Sequence, residues 1–178
     1  MTNLKAIPNV RAFGVAFATM MMLTGTAANA ATATGTFDVL LTIEETCSVT
    51  AGAGSNIDLG AVDSTTTNIA GSSAISVTCT KGTPYFIGLA PSGGSTDGSG
   101  TMAPTTAGNT DEVPYQLQQT AGLGGAAWGN TATTLSEGNG VAGSGSGAAQ
   151  SHNVYALAPS ANFTADSYRD TVTVNVNY

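Results

Sequence analysis

Apolar and polar residues alternate along several stretches of this chain. The longest such run is residues 31–47, ATATGTFDVLLTIEETC. Ala31, Ala33, Gly35, Phe37, Val39, Leu41 and Ile43 are all apolar, and Thr32, Thr34, Thr36, Asp38, Thr42 and Glu44 between them are all polar. Leu40 alone breaks the polar row. Period-two alternation predicts an extended strand with one dry face and one wet face. Such a strand is longer than a small sandwich needs, and it lies where chains normally fray. Its first part is therefore expected to pair with another copy of the protein, and Leu40 marks where that part gives way to the first core strand.

The same alternation continues through Ser48, Val49 and Thr50, and a Gly-rich turn follows over 51–55. Ile57-Asp58-Leu59-Gly60 reads as a short strand, and 63–68 as a Thr-rich loop or edge segment. Residues 73–80, SAISVTCT, place Ile75, Val77 and Cys79 on one face. Lys81-Gly82-Thr83-Pro84 is a turn before the strand 85–89, where Gly88 predicts a bulge or a close backbone approach. Composition makes loops of 91–101 and 105–111, and 137–147, EGNGVAGSGSG, looks the most flexible. Strands are predicted at 113–120, with Tyr115 and Leu117 on one face, and at 152–157, ended by Pro159. A last strand runs over 168–178, with Val172, Val174, Val176 and Tyr178 on one face. No stretch keeps a helical period over three turns. Short strands separated by Gly/Pro turns predict an all-β, immunoglobulin-like sandwich.

Composition changes this picture at the start of the chain. Lys5 and Arg11, the apolar run 12–23 and Ala28-Asn29-Ala30 predict a secretory signal peptide over 1–30. The remaining residues have the length of one domain. They hold all eleven acids but only two bases, Lys81 and Arg169, for a formal charge of −9. That balance excludes a nucleic-acid partner. Cys47 and Cys79, an even pair in an exported chain, predict one disulfide contributing about 3–4 kcal/mol by loop entropy.

The order of several features is similar to a known family. An alternating N-terminal strand leads into Cys47. Then come Leu59-Gly60, Val77-Thr78-Cys79, Tyr115-Gln116-Leu117, Trp128-Gly129, Val154-Tyr155 and Tyr168-Arg169-Asp170-Thr171-Val172-Thr173-Val174. Together they resemble the spore coat protein U domain family, whose better-understood members are subunits of archaic (Csu-like) chaperone–usher pili. The chain has Ala165-Asp166-Ser167 and Ala156 where glycines are common in the family. The resemblance implies an immunoglobulin-like β-sandwich lacking its final strand and completed by donor-strand exchange. It implies a periplasmic pilus chaperone, an outer-membrane usher, and other copies of itself or related subunits as partners. It also implies export to the periplasm, then the cell surface as a pilus, or secretion, with adhesion and biofilm as the setting. Residues 31–42 would be the donor strand, anchored by Phe37, Val39 and Leu41, and 43–178 the pilin-like domain. Val172, Val174, Val176 and Tyr178 would line the acceptor groove. The last strand is expected to run to the last residue of the sequence, with no later strand expected to cover that edge.

Other chemistry is thinly represented. His152 has Asp166 and Asp170 as candidate orienting partners, but there is no Gly-x-Ser-x-Gly elbow, and no catalytic role is expected. Asp97, Asp111 and Glu112 match no calcium-loop spacing and read as solvated acids, so no metal or cofactor is expected. Trp128 is a core residue or a sugar-stacking platform, with the core favoured. Asn162-Phe163-Thr164 is a chance-frequency glycosylation sequon, and Asp170 is expected to pair locally with Arg169. The expected function is that of a structural fibre subunit. The alternatives are a minor adaptor or adhesive subunit, or a monomeric secreted binding module whose long N-terminal strand folds back to complete its own sheet.

Overall fold

The computed structural model describes residues 30–178. The predicted leader therefore lies outside the described residues, apart from Ala30. The chain divides into two units, 1–40 and 41–178. Of the first, residues 30–40 are described; they form no strand and are exposed throughout.

The second unit is all-β. Nine strands run in chain order: β1 Cys47–Thr50, β2 Thr67–Cys79, β3 Pro84–Pro91, β4 Ser99–Pro104, β5 Val113–Gln118, β6 Val141–Ser144, β7 Gln150–Ser160, β8 Tyr168–Arg169 and β9 Val172–Asn177. Among the described residues the only helix is a single 3₁₀ turn, Ala53–Ser55. Every pairing is antiparallel. One sheet has the order β1-β2-β7-β5-β4-β8 and the other β6-β3-β9. The core lies between them: Ile75 and Val77 of β2, Tyr115 and Leu117 of β5, and Val154 and Ala156 of β7 join Tyr85, Ile87 and Leu89 of β3 in one cluster. This is the expected immunoglobulin-like sandwich.

The alternating runs become strands because their apolar parity matches this core. β2 begins six residues before the predicted start and pairs with β7 from Thr67↔Ser160 to Val77↔Gln150. β7 runs past Pro159, which lies at the strand's end with its side chain exposed. The predicted closing strand is two pieces, β8 and β9, broken at Asp170 and Thr171.

Three segments correct the sequence reading. Ile57-Asp58-Leu59-Gly60 is not a strand. Ile57 and Leu59 instead pack across Gly71 of β2, where an added Cβ would lie 2.9 Å from each side chain. Ser99 to Thr101, read as loop, join the unassigned 102–104 as strand β4, and Val141–Ser144, inside the most flexible-looking stretch, is strand β6. Each carries a glycine directly opposite a tyrosine, Gly100↔Tyr115 and Gly143↔Tyr85. An added Cβ at either glycine would strike the tyrosine ring. Gly88 proves to be a close approach, its backbone covered by Asn130.

Candidate functional site

β9 is an edge strand. It pairs with β3 from Phe86↔Asn177 to Pro91↔Val172, and no strand of the described residues occupies its other side. The inner face of this sheet changes character in one step. Ile87 and Leu89 of β3 are 0% and 1% exposed, whereas their register partners Val176 and Val174 are only partly buried. Val172 is half-buried too, and Tyr178 is 50% exposed. The four residues predicted for a groove thus lie on or beside one strand, and three of them pack against the core with part of their surface uncovered. Across the sandwich, β1 is the edge of the other sheet, and its Val49 is also exposed. β1 and β9 approach each other with no hydrogen-bonded ladder between them. An edge with free backbone groups and half-covered valines is a template for another strand.

The outward face of β9 is polar and partly tied down. Asn175 donates to Asn130 Oδ1 at 3.0 Å, and Asn177 donates to the Phe86 carbonyl at 3.3 Å. β9 starts beside an anchor that sequence reasoning missed. The Tyr115 hydroxyl donates to Asp170 Oδ2 at 2.6 Å, and the Ser92 hydroxyl and Thr171 amide donate to Oδ1. Burial raises the Asp170 carboxyl, but these hydrogen bonds lower it further and hold it below the usual carboxylate range. Burial, with Asp170 second, pushes the Tyr115 hydroxyl up. Asp170 therefore takes its bonds from β5 and the loop after β3, in place of the local pair with Arg169 expected from sequence. A Tyr two strands away was not visible as its partner.

Residues 41–46, expected from sequence to begin the first core strand after Leu40, have no strand structure; that strand starts at Cys47. Their attachment to the domain starts late: Thr80 Oγ1 donates to the Glu44 carbonyl at 3.0 Å, and the Thr80 amide donates to the Thr46 carbonyl at 2.9 Å. Upstream of these bonds the apolar row is in the open. Phe37 is 87% exposed, Val39 86%, Leu41 84% and Ile43 74%. Leu40 is 88% exposed as well, and so many large apolar residues in the open within one short segment are far from the scattered apolar surface of ordinary domains.

The remaining candidates are structural. Cys47 and Cys79 form the predicted disulfide, as a directly opposed β1–β2 pair with Cα atoms 4.1 Å apart. Trp128 is fully buried, and its Nε1 donates to the Ile87 carbonyl at 2.9 Å, which makes it core and leaves no stacking face. His152 Nε2 and the Tyr85 hydroxyl lie 3.0 Å apart, bridging the two sheets, and burial lowers the His152 pKa. Neither Asp166 nor Asp170 is bonded to it; Asp166 accepts from Asn109 and from the Thr105 and Thr106 hydroxyls. Asp97 accepts from Ser95 and Ser99, which lower its carboxyl to about 2. Asp111 accepts from Thr164, the sequon threonine, which holds its carboxyl low. Asp97 braces its own loop, whereas Asp111 and Asp166 tie the loop after β4 to the one after β7.

Comparison with known proteins gives two findings. The family model described as "Spore Coat Protein U domain" matches residues 33–175. A chain in the crystal structure of the CsuC–CsuE chaperone–tip adhesion subunit pre-assembly complex, from archaic chaperone–usher Csu pili of Acinetobacter baumannii, is similar at 19% identity and a TM-score of 0.46. The match covers 77% of this chain and 40% of that one. No curated protein matches in sequence.

Proposed function

The chain belongs to the Spore Coat Protein U domain family, and on that footing we propose that it is a structural subunit of a surface pilus or fibre. Assembly is by the chaperone–usher route, through donor-strand complementation. Residues 1–30 direct export and are removed, 31–42 are the donor strand, and 43–178 are the acceptor domain. The partners are a periplasmic chaperone, an outer-membrane usher, and further copies of this chain or related subunits. The protein works by assembly and not by catalysis.

The observation that carries this reading is a complementary pair of surfaces. Phe37, Val39 and Leu41, apolar residues at alternate positions of the sequence, are exposed, as is Leu40 beside them. Val172, Val174 and Val176 stand half-covered on alternate residues of an edge strand. A donor strand laid along β9 would satisfy its free backbone groups and bury both apolar rows. Burying the three donor anchors contributes on the order of 5–8 kcal/mol before ordering costs.

Deletion of 31–41 tests the reading. The shortened subunit should still bind its chaperone and a synthetic peptide of residues 31–42, because β1 and β9 are intact, yet it should not enter another subunit. Phe37→Asp combined with Val39→Asp should act in the same way, since charge is costly in an apolar groove. Polymerisation equal to wild type would refute the donor assignment. Failure to fold even with chaperone would return the segment to the protein's own sheet.

A further inference from the structure

We infer that the Cys47–Cys79 disulfide is a mechanical shunt, which carries tension from the N-terminal segment directly into the strand that supports the open edge. The inference takes only the direction of load from the fibre reading. Tension on residues 41–46 reaches the sheet at Cys47, the first residue of β1. β1 holds β2 by four residue pairs only, Cys47↔Cys79 to Thr50↔Ser76. Beyond β1, residues 51–66 contain a single 3₁₀ turn and no strand before β2 begins. Along the backbone alone, load entering at Cys47 would therefore meet a four-residue strand and then slack coil.

The disulfide removes that weak stretch from the path. Cys79 is the last residue of β2 and is joined by the turn at Thr80–Lys81–Gly82–Thr83 to β3. The turn is itself clamped: the Thr83 amide donates to the Thr80 carbonyl at 3.0 Å, and the Gly82 amide donates to the Gly145 carbonyl at 2.8 Å. β3 then ladders with β9 over six residue pairs, from Phe86↔Asn177 to Pro91↔Val172. The covalent route from the extension to β3 is thus one disulfide and one short turn. The ladder to β9 completes it, ending at the edge where a second copy would pull. The weak part of the bypassed stretch, from Cys47 to Thr67 where β2 joins its ladder with β7, would add about 70 Å if drawn out at ~3.5 Å per residue.

Single-molecule force measurement on the secreted chain tests this without requiring a polymer. One handle is attached ahead of Ala31 and the other at an azide-bearing residue introduced by substitution of Thr173, which is exposed on β9. Folded, oxidised molecules are pulled before and after reduction in place with dithiothreitol, so the bridge is removed from protein that has already folded. Cys47→Ser with Cys79→Ser is the second arm, with in-place reduction as the readout if that variant does not fold. The oxidised molecule should show no early extension. The reduced molecule should show a first event that releases about 70 Å at half the oxidised rupture force or less, with β2 still held by its ladder to β7. Equal first-rupture force with and without the bridge, or an early event of the same length in both states, would overturn the inference. A failure of subunits to polymerise would refute the fibre reading and leave this measurement unaffected.

Discussion

An alanine scan of the donor segment turns the parity argument into numbers. The perturbation is a set of synthetic peptides covering residues 31–42, each with one alanine, offered to the subunit lacking 31–41. Phe37, Val39 and Leu41 are more than four-fifths exposed in the free chain, so docking would transfer nearly the whole of each side chain out of water. Full burial of such a side chain contributes about 1.5–3 kcal/mol. Each alanine at these three positions should therefore weaken binding roughly 10- to 150-fold. Thr36 and Asp38 would face the polar side beside Thr173 and Asn175, and alanine there should change affinity by less than about threefold, within the usual ±0.5 kcal/mol of surface substitutions. Fluorescence anisotropy of labelled peptides measures this directly. The reasoning is refuted if odd and even positions cost the same, because an edge-strand addition with one apolar face must discriminate them.

Two further outcomes follow from the core. Trp128→Ala removes a fully buried side chain and its bond to the Ile87 carbonyl; it should cost about 3–5 kcal/mol, read as a shift in denaturant midpoint, and a shift under about 1 kcal/mol would place Trp128 outside the load of the core. Burial holds the folded pKa of His152 below its unfolded value of 6.5, so the unfolded chain binds more protons between those two values and stability is lost as pH falls through about 6.5. His152→Gln should flatten the Tm difference between pH 7.5 and 5.5, and an unchanged difference would show that other groups carry it.

The strands that were legible in the sequence are those whose alternate residues enter the core. Ile75 and Val77, Tyr115 and Leu117, and Val154 and Ala156 announce β2, β5 and β7 by parity alone. β4 and β6 were hidden because their contribution is an absence of side chain. Gly100 and Gly143 each leave room for a tyrosine ring folded over from the opposite strand, and a glycine in that role looks, in composition, like a loop. The readable signal would have been the pairing itself, a Gly set against Tyr across a register that single-sequence reasoning does not supply. Ile57-Asp58-Leu59 shows the converse. Its alternation is real and both apolar residues are half-buried, but they pack over Gly71 without joining a ladder. Period two reports which residues are dry and not whether the backbone is paired. The valine row of β9 was legible by the same parity, whereas the anchor at Asp170 was not, because its partners Tyr115 and Ser92 come from two other elements.

The size pattern along the donor segment narrows the register further than parity does. Shifting a strand by one residue against β9 would turn Phe37, Val39 and Leu41 to water, and the valine row would penalise it at once. A shift by two residues keeps every apolar residue inward, so parity alone does not forbid it. Side-chain volume does. Ala31, Ala33 and Gly35 are small, whereas Phe37, Val39, Leu41 and Ile43 are large. Sliding the segment by two toward its C-terminal end would withdraw a large anchor from one end of the groove and bring Gly35 in, leaving a void where close packing is worth several kcal/mol. Sliding it the other way would draw Ile43 and Glu44 inward, against the bonds that hold Glu44 and Thr46 to Thr80 of the donating subunit. The step in size between Gly35 and Phe37 and the fixed attachment at Glu44 therefore bracket the usable segment from both ends. Between them lie seven residues, Phe37 to Ile43, to set against a β9 of six. If residues 37–43 dock as proposed, their length, parity and bulk would match the open edge of β9.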